Sequence, residues 1–203
     1  RRQRQMCIRD SWKDVDTAFL AKRGLPYTKE YYEGVAHTIF PLAARFTKEF
    51  CHLPESEEAI MAEWMDMAGD LYGTSVPVKP GVREYLEKLR SAGERMIVVT
   101  SAVPVHCRTA LDHLGLTPYF ERIIFAQELH REKKDPQLWR LSAEMMRVKP
   151  EDCTLYDDSV EACRGARAAG MCAVGVFDPF FAGTEPEMRA VCDRYIRSFD
   201  ELL

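Results

Sequence analysis

Two adjacent carboxylates, Asp157 and Asp158, follow the short apolar run Cys153 to Tyr156. Such a run reads as a buried strand, which puts the acids at its carboxyl end, where open parallel α/β sheets collect their ligands. A pair of hard oxygen donors there suits a hard cation such as Mg²⁺. The same pair can serve as first-turn charge and helix cap, because Ser159 is placed to cap the helix EACRGARAAG. Two other stretches offer complementary chemistry. Thr100 and Ser101 follow the β-branched run MIVVT and precede a helix with Pro104 in its first turn. A hydroxyl and backbone N–H groups at such a junction form either a phosphate cradle or a turn that merely caps the helix. Lys133 and Lys134 stand in REKKDPQLW, ahead of a helix begun by Asp135 and Pro136. A lysine there can neutralise a phosphate and a carboxylate together as a point charge, or can be an ordinary surface lysine of a charged loop.

Positioning these groups requires a particular order of elements. GVREYLEKLRSAG reads as an amphipathic helix, MIVVT as a buried parallel strand, PVHCRTALDHLG as a helix and RIIFA as a strand. QLWRLSAEMMRV is again helical, CTLY is the strand carrying the acids, and CAVGVF and a short edge strand RYI complete the series. Strand and helix alternating at this spacing predict an α/β fold, a doubly wound, Rossmann-like parallel sheet, over residues 79–203. From Trp12 to about Ser75 the patterns are helical only, and residues 12–78 are assigned to a helical cap domain. Trp12, Val15, Phe19 and Leu20 fall at helical spacing, ended by Gly24 and Pro26. Thr28 is placed to cap KEYYEGVAHTIF, Pro41 opens PLAARFTKEF, and a fourth helix runs from about Glu55 to Leu71. The prediction is a small helical domain joined to the sheet by a rigid extended hinge, VPVKP.

The 203 residues are 46% hydrophobic and 30% charged, enough for a substantial core without covalent staples. A net charge of −4 leaves no basic face to advertise nucleic acid, and no apolar run has the length of a membrane span. Seven scattered cysteines without a Cys-x-x-Cys pair read as reduced core residues in a cytoplasmic setting. The opening RRQRQMCIRDS carries four arginines and neither helical nor strand periodicity, and it lacks the apolar stretch of a signal peptide. Its codons can be written as a transposon-end adaptor used in preparing sequencing libraries. Residues 1–11 are therefore expected to be non-native, joined to a gene truncated before Trp12.

The ordered set of hydroxyl, lysine and acid pair resembles the haloacid dehalogenase-like superfamily. Specifically, it resembles the branch with a helical cap inserted after the first strand, which includes β-phosphoglucomutase-like and phosphoglycolate-phosphatase-like proteins. The resemblance covers Trp12 to Leu203. MIVVTS is similar to the family's second motif, KKDPQLW to its third and LYDDS to its fourth; VEACRGARAAGM and RYIRSFDELL resemble the continuations. It implies that Thr100, with Ser101 beside it, binds the transferring phosphoryl group. In the register set by Pro136, Lys133 is the motif lysine. Asp158 is implied as the Mg²⁺ ligand and Asp157 as its partner, whether as a second ligand or by supporting the first.

What the resemblance implies for the intact protein is Mg²⁺-dependent hydrolysis of a small phosphorylated metabolite through an aspartyl-phosphate. The helical cap would close across the site, the protein would be a monomer or homodimer, and no nucleic acid or membrane would be a partner. A phosphomutase of the same family, or a non-catalytic domain that binds a phospholigand or a protein, are the alternatives. The family's first motif, an apolar strand ending in Asp-x-Asp with the nucleophile, is not found ahead of the cap, and Asp10 has no apolar strand before it. The first core strand is thus expected to be missing, the sheet to expose apolar surface, and this polypeptide to be poorly soluble and catalytically inactive.

Overall fold

A computed structural model describes residues 11–35, 40–74 and 78–203. Residues 1–10 of the expected adaptor segment 1–11, residues 36–39, which include His37, and residues 75–77, which include the first two residues of the expected hinge, lie outside the described residues. The described residues divide into two compact units, residues 11–74 and residues 78–203.

The first unit is all-helical: α1 (Ser11–Lys22), α2 (Lys29–Val35), α3 (Phe40–Phe50) and α4 (Glu57–Thr74). The helical stripe of α1 works as its spacing requires, with Val15, Phe19 and Leu20 buried. Thr28 caps α2 by accepting the Tyr31 N–H at 3.1 Å. Two boundaries differ from expectation. Phe40 opens α3 rather than closing α2. α4 begins at Glu57 because Ser56 takes the capping role, its hydroxyl accepting the Ala59 N–H at 3.1 Å. The aromatic content is packing: Trp64 meets Phe19 edge-on at 5.6 Å and Phe40 at 5.5 Å between ring centroids.

The second unit alternates as predicted: α5 (Val82–Ser91), β1 (Ile97–Thr100), α6 (Pro104–His113), β2 (Arg122–Phe125), α7 (Pro136–Met145), β3 (Thr154–Asp157), α8 (Val160–Ala168), β4 (Cys172–Val176), α9 (Glu185–Val191) and β5 (Arg194–Ile196). All the pairings are parallel. β1 pairs with β2, and separately β3 pairs with β4 and β4 with β5. Side chains alternate across the strands, so two apolar layers form. Ile97 and Val99, with Leu155 and Ala173, pack under α7, α8 and α9. Val98, with Tyr156, Val174 and Ile196, packs under α5 and α6. Each layer contains residues from both half-sheets, so the two pieces belong to one doubly wound layer. Among the described residues no strand pairs with the other edge of β1 or of β3. No described helix is long and apolar enough to cross a membrane.

Candidate functional site

The acid pair lies where the strand rule puts it. Asp157 is the last residue of β3 and Asp158 the next, and both are buried, at 0% and 2% exposure. A carboxylate removed from water must be compensated. For Asp157 the structure supplies two donors: Oδ1 accepts the Ser159 N–H at 2.9 Å, and Oδ2 accepts the Lys133 ammonium at 2.7 Å. The first bond folds Asp157 to Ser159 into a tight turn. Ser159 then starts α8, its hydroxyl accepting the Ala162 N–H. Helix α8 ends at Gly170, whose φ of +96° an L side chain would resist.

Lys133 is the inward lysine of its pair. Its side chain is 15% exposed, whereas Lys134 is 64% exposed and bonds Glu132 at 2.6 Å. The loop that aims it is braced from behind. The Trp139 indole N–H donates to the Lys133 carbonyl at 2.8 Å, and Asp135 caps α7 through the Gln137 N–H at 2.9 Å. Gly165 completes the brace: a Cβ there would lie 2.4 Å from the Lys133 carbonyl oxygen and 2.8 Å from Trp139 Nε1. With no Cβ, Gly165 lets α8 lie directly on the Lys133 backbone. The sequence offers Gly165 as one of several small residues on this helix, and nothing local marks Trp139 or the contact the two make. A glycine in mid-helix, which costs about 1 kcal/mol against alanine, was the available signal.

At the carboxyl end of β1, the Thr100 hydroxyl oxygen accepts the Ala102 N–H at 3.0 Å. Its own proton stays available for donation. The helix-capping alternative does not hold, because Val103 is the N-cap of α6 and no side chain caps that end. Ser101 is exposed. The contacts thus join Lys133 to Asp157, while the Thr100 bond stays within its own turn. The sequence does contain one Asp-x-Asp, at Asp14 and Asp16, but it lies on α1 and not at a strand end. At the neighbouring β4 terminus, Asp178 is buried and pairs with Lys79 from the described end of the expected hinge.

Hard oxygen donors at a strand end suit Mg²⁺, which typically takes one or two carboxylates and completes its shell with water and phosphate oxygens. Asp157 and Asp158 fit that partial role. Among the described residues no group of three His, Cys, Asp or Glu side chains forms a complete protein shell.

A family model described as haloacid dehalogenase-like hydrolase matches residues 6–170. The chain belongs to this hydrolase family. A phosphorylated carbohydrates phosphatase of Thermotoga maritima is 24% identical over 148 residues, 73% of this chain and 68% of that protein. Fructose-1-phosphate phosphatase YqaB of Escherichia coli is 36% identical over 81 residues, 40% of this chain and 43% of that protein. The matched stretches thus span from under half to about two thirds of these relatives. The crystal structure of a proposed β-phosphoglucomutase from Thermotoga maritima superposes with a TM-score of 0.85 at 21% identity, covering 99% of this chain and 95% of that one. This last likeness establishes the haloacid dehalogenase-like fold, helical unit included.

Proposed function

We propose that the natural protein represented by this chain hydrolyses a small phosphate monoester, a sugar phosphate or similar metabolite, with Mg²⁺, in a cytoplasmic setting. The observation that carries the reading is the Lys133 ammonium held 2.7 Å from buried Asp157, beside Asp158, at the carboxyl end of β3 in a member of this hydrolase family. Lys133 neutralises charge on the phosphoryl oxygens while Asp157 fixes its position. Both Asp157 oxygens are engaged by Lys133 and Ser159, so Asp158 is the better direct ligand for the cation. Mg²⁺, when bound, supplies further charge neutralisation for the phosphoryl group. Thr100, its oxygen satisfied by Ala102, donates its proton to a phosphoryl oxygen, and Ser101 extends that side of the cradle. Residues 12–78 act as the cap that excludes water and selects the ester.

In-line displacement at phosphorus also needs a nucleophile. The family's mechanism implies an aspartate at the end of a strand between β1 and β3, where the half-sheets present unmatched edges among the described residues. A polypeptide of these 203 residues has no Asp-x-Asp ending an apolar strand, so it is expected to bind but not turn over a phosphate ester. The test is p-nitrophenyl phosphate hydrolysis with Mg²⁺ by two proteins. One is the present chain; the other carries an apolar strand ending in Asp-x-Asp in place of residues 1–11. Turnover only in the second, abolished by Asp158→Ala, is expected. No turnover on any phosphate monoester by the folded second protein would favour a non-catalytic binding domain instead.

A further inference from the structure

The segment that carries the chain into the α/β unit, Val78 to Gly81, lies in neither helix nor strand, yet it is held by elements far along the chain. Lys79 reaches the end of β4, where its ammonium pairs with the Asp178 carboxylate and donates to the Phe177 carbonyl oxygen at 3.2 Å. The Pro80 carbonyl oxygen accepts the Phe199 N–H at 3.1 Å. Gly81, at φ +73°, lies against the same turn, so that a Cβ there would be 2.8 Å from the Phe199 carbonyl carbon. The Lys79 carbonyl oxygen accepts the Val82 N–H at 3.2 Å, where α5 starts.

These holds are not equivalent. Val78 is partly buried against the apolar layer under α5 and α6. Apolar contact is non-directional, so it keeps a chain on a surface without fixing its place along that surface. The contacts at Pro80 and Gly81 act only from the start of α5 onward. Among the described residues, the Lys79–Asp178 pair is the first directional contact that the chain makes on entering this unit. Asp178 is buried and the Lys79 side chain largely so. A buried ion pair adds little stability over neutral groups of the same size, because desolvating both charges offsets their attraction; its best use is to specify register. The location gives that register a purpose. β4 runs parallel to β3 with Gly175 beside Asp157, so Asp178, just past the end of β4, lies at the same carboxyl end of the sheet as the acid pair.

We propose that Lys79 and Asp178 are a mooring pair. They fix the point at which the connection from the helical unit enters the α/β unit, at the end of the sheet that carries Asp157 and Asp158, and they supply register rather than stability. Their role as positioning residues for the cap rests on the functional reading above; the mooring itself does not.

The experiment combines urea denaturation with amide hydrogen exchange, followed by nitrogen-15 NMR, on the 203-residue chain and two variants. Lys79→Met alone leaves the buried Asp178 charge unmatched and is expected to lower the urea midpoint. Adding Asp178→Asn removes that charge and is expected to restore the midpoint. Local protection should not return with it. The reporting amides are those of Val82 and Phe199, whose acceptors are the Lys79 and Pro80 carbonyls. In the double variant both are expected to exchange at least about tenfold faster, with β1 and β3 unchanged. Unchanged exchange at Val82 and Phe199 in the double variant would overturn the proposal. So would faster exchange spread equally over β1 and β3 with a midpoint that stays low, because the pair would then be an ordinary contributor to the stability of the unit. Phosphate and Mg²⁺ play no part in these measurements, so failure here and failure of the functional reading are told apart.

Discussion

The two compact units each bury an acid, and they treat it in opposite ways. In the α/β unit Asp157 has no exposure, and its carboxylate receives an ammonium and a backbone N–H. In the helical unit Asp16 is partly buried on α1 and its hydrogen bond is to the Tyr31 hydroxyl, at 3.5 Å, with Thr47 on the far side of that hydroxyl at 2.9 Å. Among the described residues no cation pairs with it. Burial therefore pushes the Asp16 carboxyl up to about 7, only partly offset by Tyr31. One acid is held as half of an ion pair and braces a lysine; the other is accommodated best with its proton on. The contrast separates a carboxylate that the fold is built around from one that the fold tolerates.

The same substitution should therefore have opposite signs at the two positions. Asp157→Asn removes the counter-charge from Lys133 and is expected to destabilise the α/β unit by about 3 kcal/mol, read from urea denaturation. Asp16→Asn should instead stabilise the helical unit above neutral pH, by about 2 kcal/mol. The pH dependence follows from the raised carboxyl. The folded unit holds the proton more tightly than the unfolded chain, so stability is full below about pH 4. It declines by at most about 1.4 kcal/mol per pH unit as pH rises through about 7. Asn at this position should flatten that slope, and an unchanged slope would remove Asp16 as its source.

Two smaller effects test how the Lys133 side of the site is braced. Gly165→Ala raises helix propensity, yet a Cβ would meet the Lys133 carbonyl at 2.4 Å, so a net loss of about 1–2 kcal/mol is expected by thermal denaturation. A gain would show that α8 does not press on the Lys133 loop. Thr100→Val removes the acceptor of the Ala102 N–H and should cost about 1 kcal/mol, leaving the Lys133–Asp157 pair intact.

Much of this was legible because the signals are local. The apolar run before Asp157, the Ser159 cap, the Asp135–Pro136 helix start and the β-branched run before Thr100 each act within a few residues, and each appears where the spacing puts it. The family resemblance selected Lys133 over Lys134, and of the two side chains Lys133 is the more buried. What stayed hidden depends on partners far apart in the chain. Gly165 on the Lys133 carbonyl and Lys79 on Asp178 are tertiary contacts, and periodicity carries no information about which residue a helix face will meet. The boundary between α2 and α3 was misread for a related reason: the apolar pattern continues through residues 36–40, and nothing local marks Phe40 as a beginning.

The central claim is that Lys133 and Asp158 together make the carboxyl end of β3 a site for phosphate and a divalent cation. Phosphorus-31 NMR titration of orthophosphate into the 203-residue chain, with and without Mg²⁺, tests it without requiring turnover. The account predicts binding strengthened by Mg²⁺, weakened at least about tenfold by Lys133→Met, and made indifferent to Mg²⁺ by Asp158→Ala. Binding by the folded chain that neither substitution alters, or that takes no notice of Mg²⁺ from the outset, would contradict it.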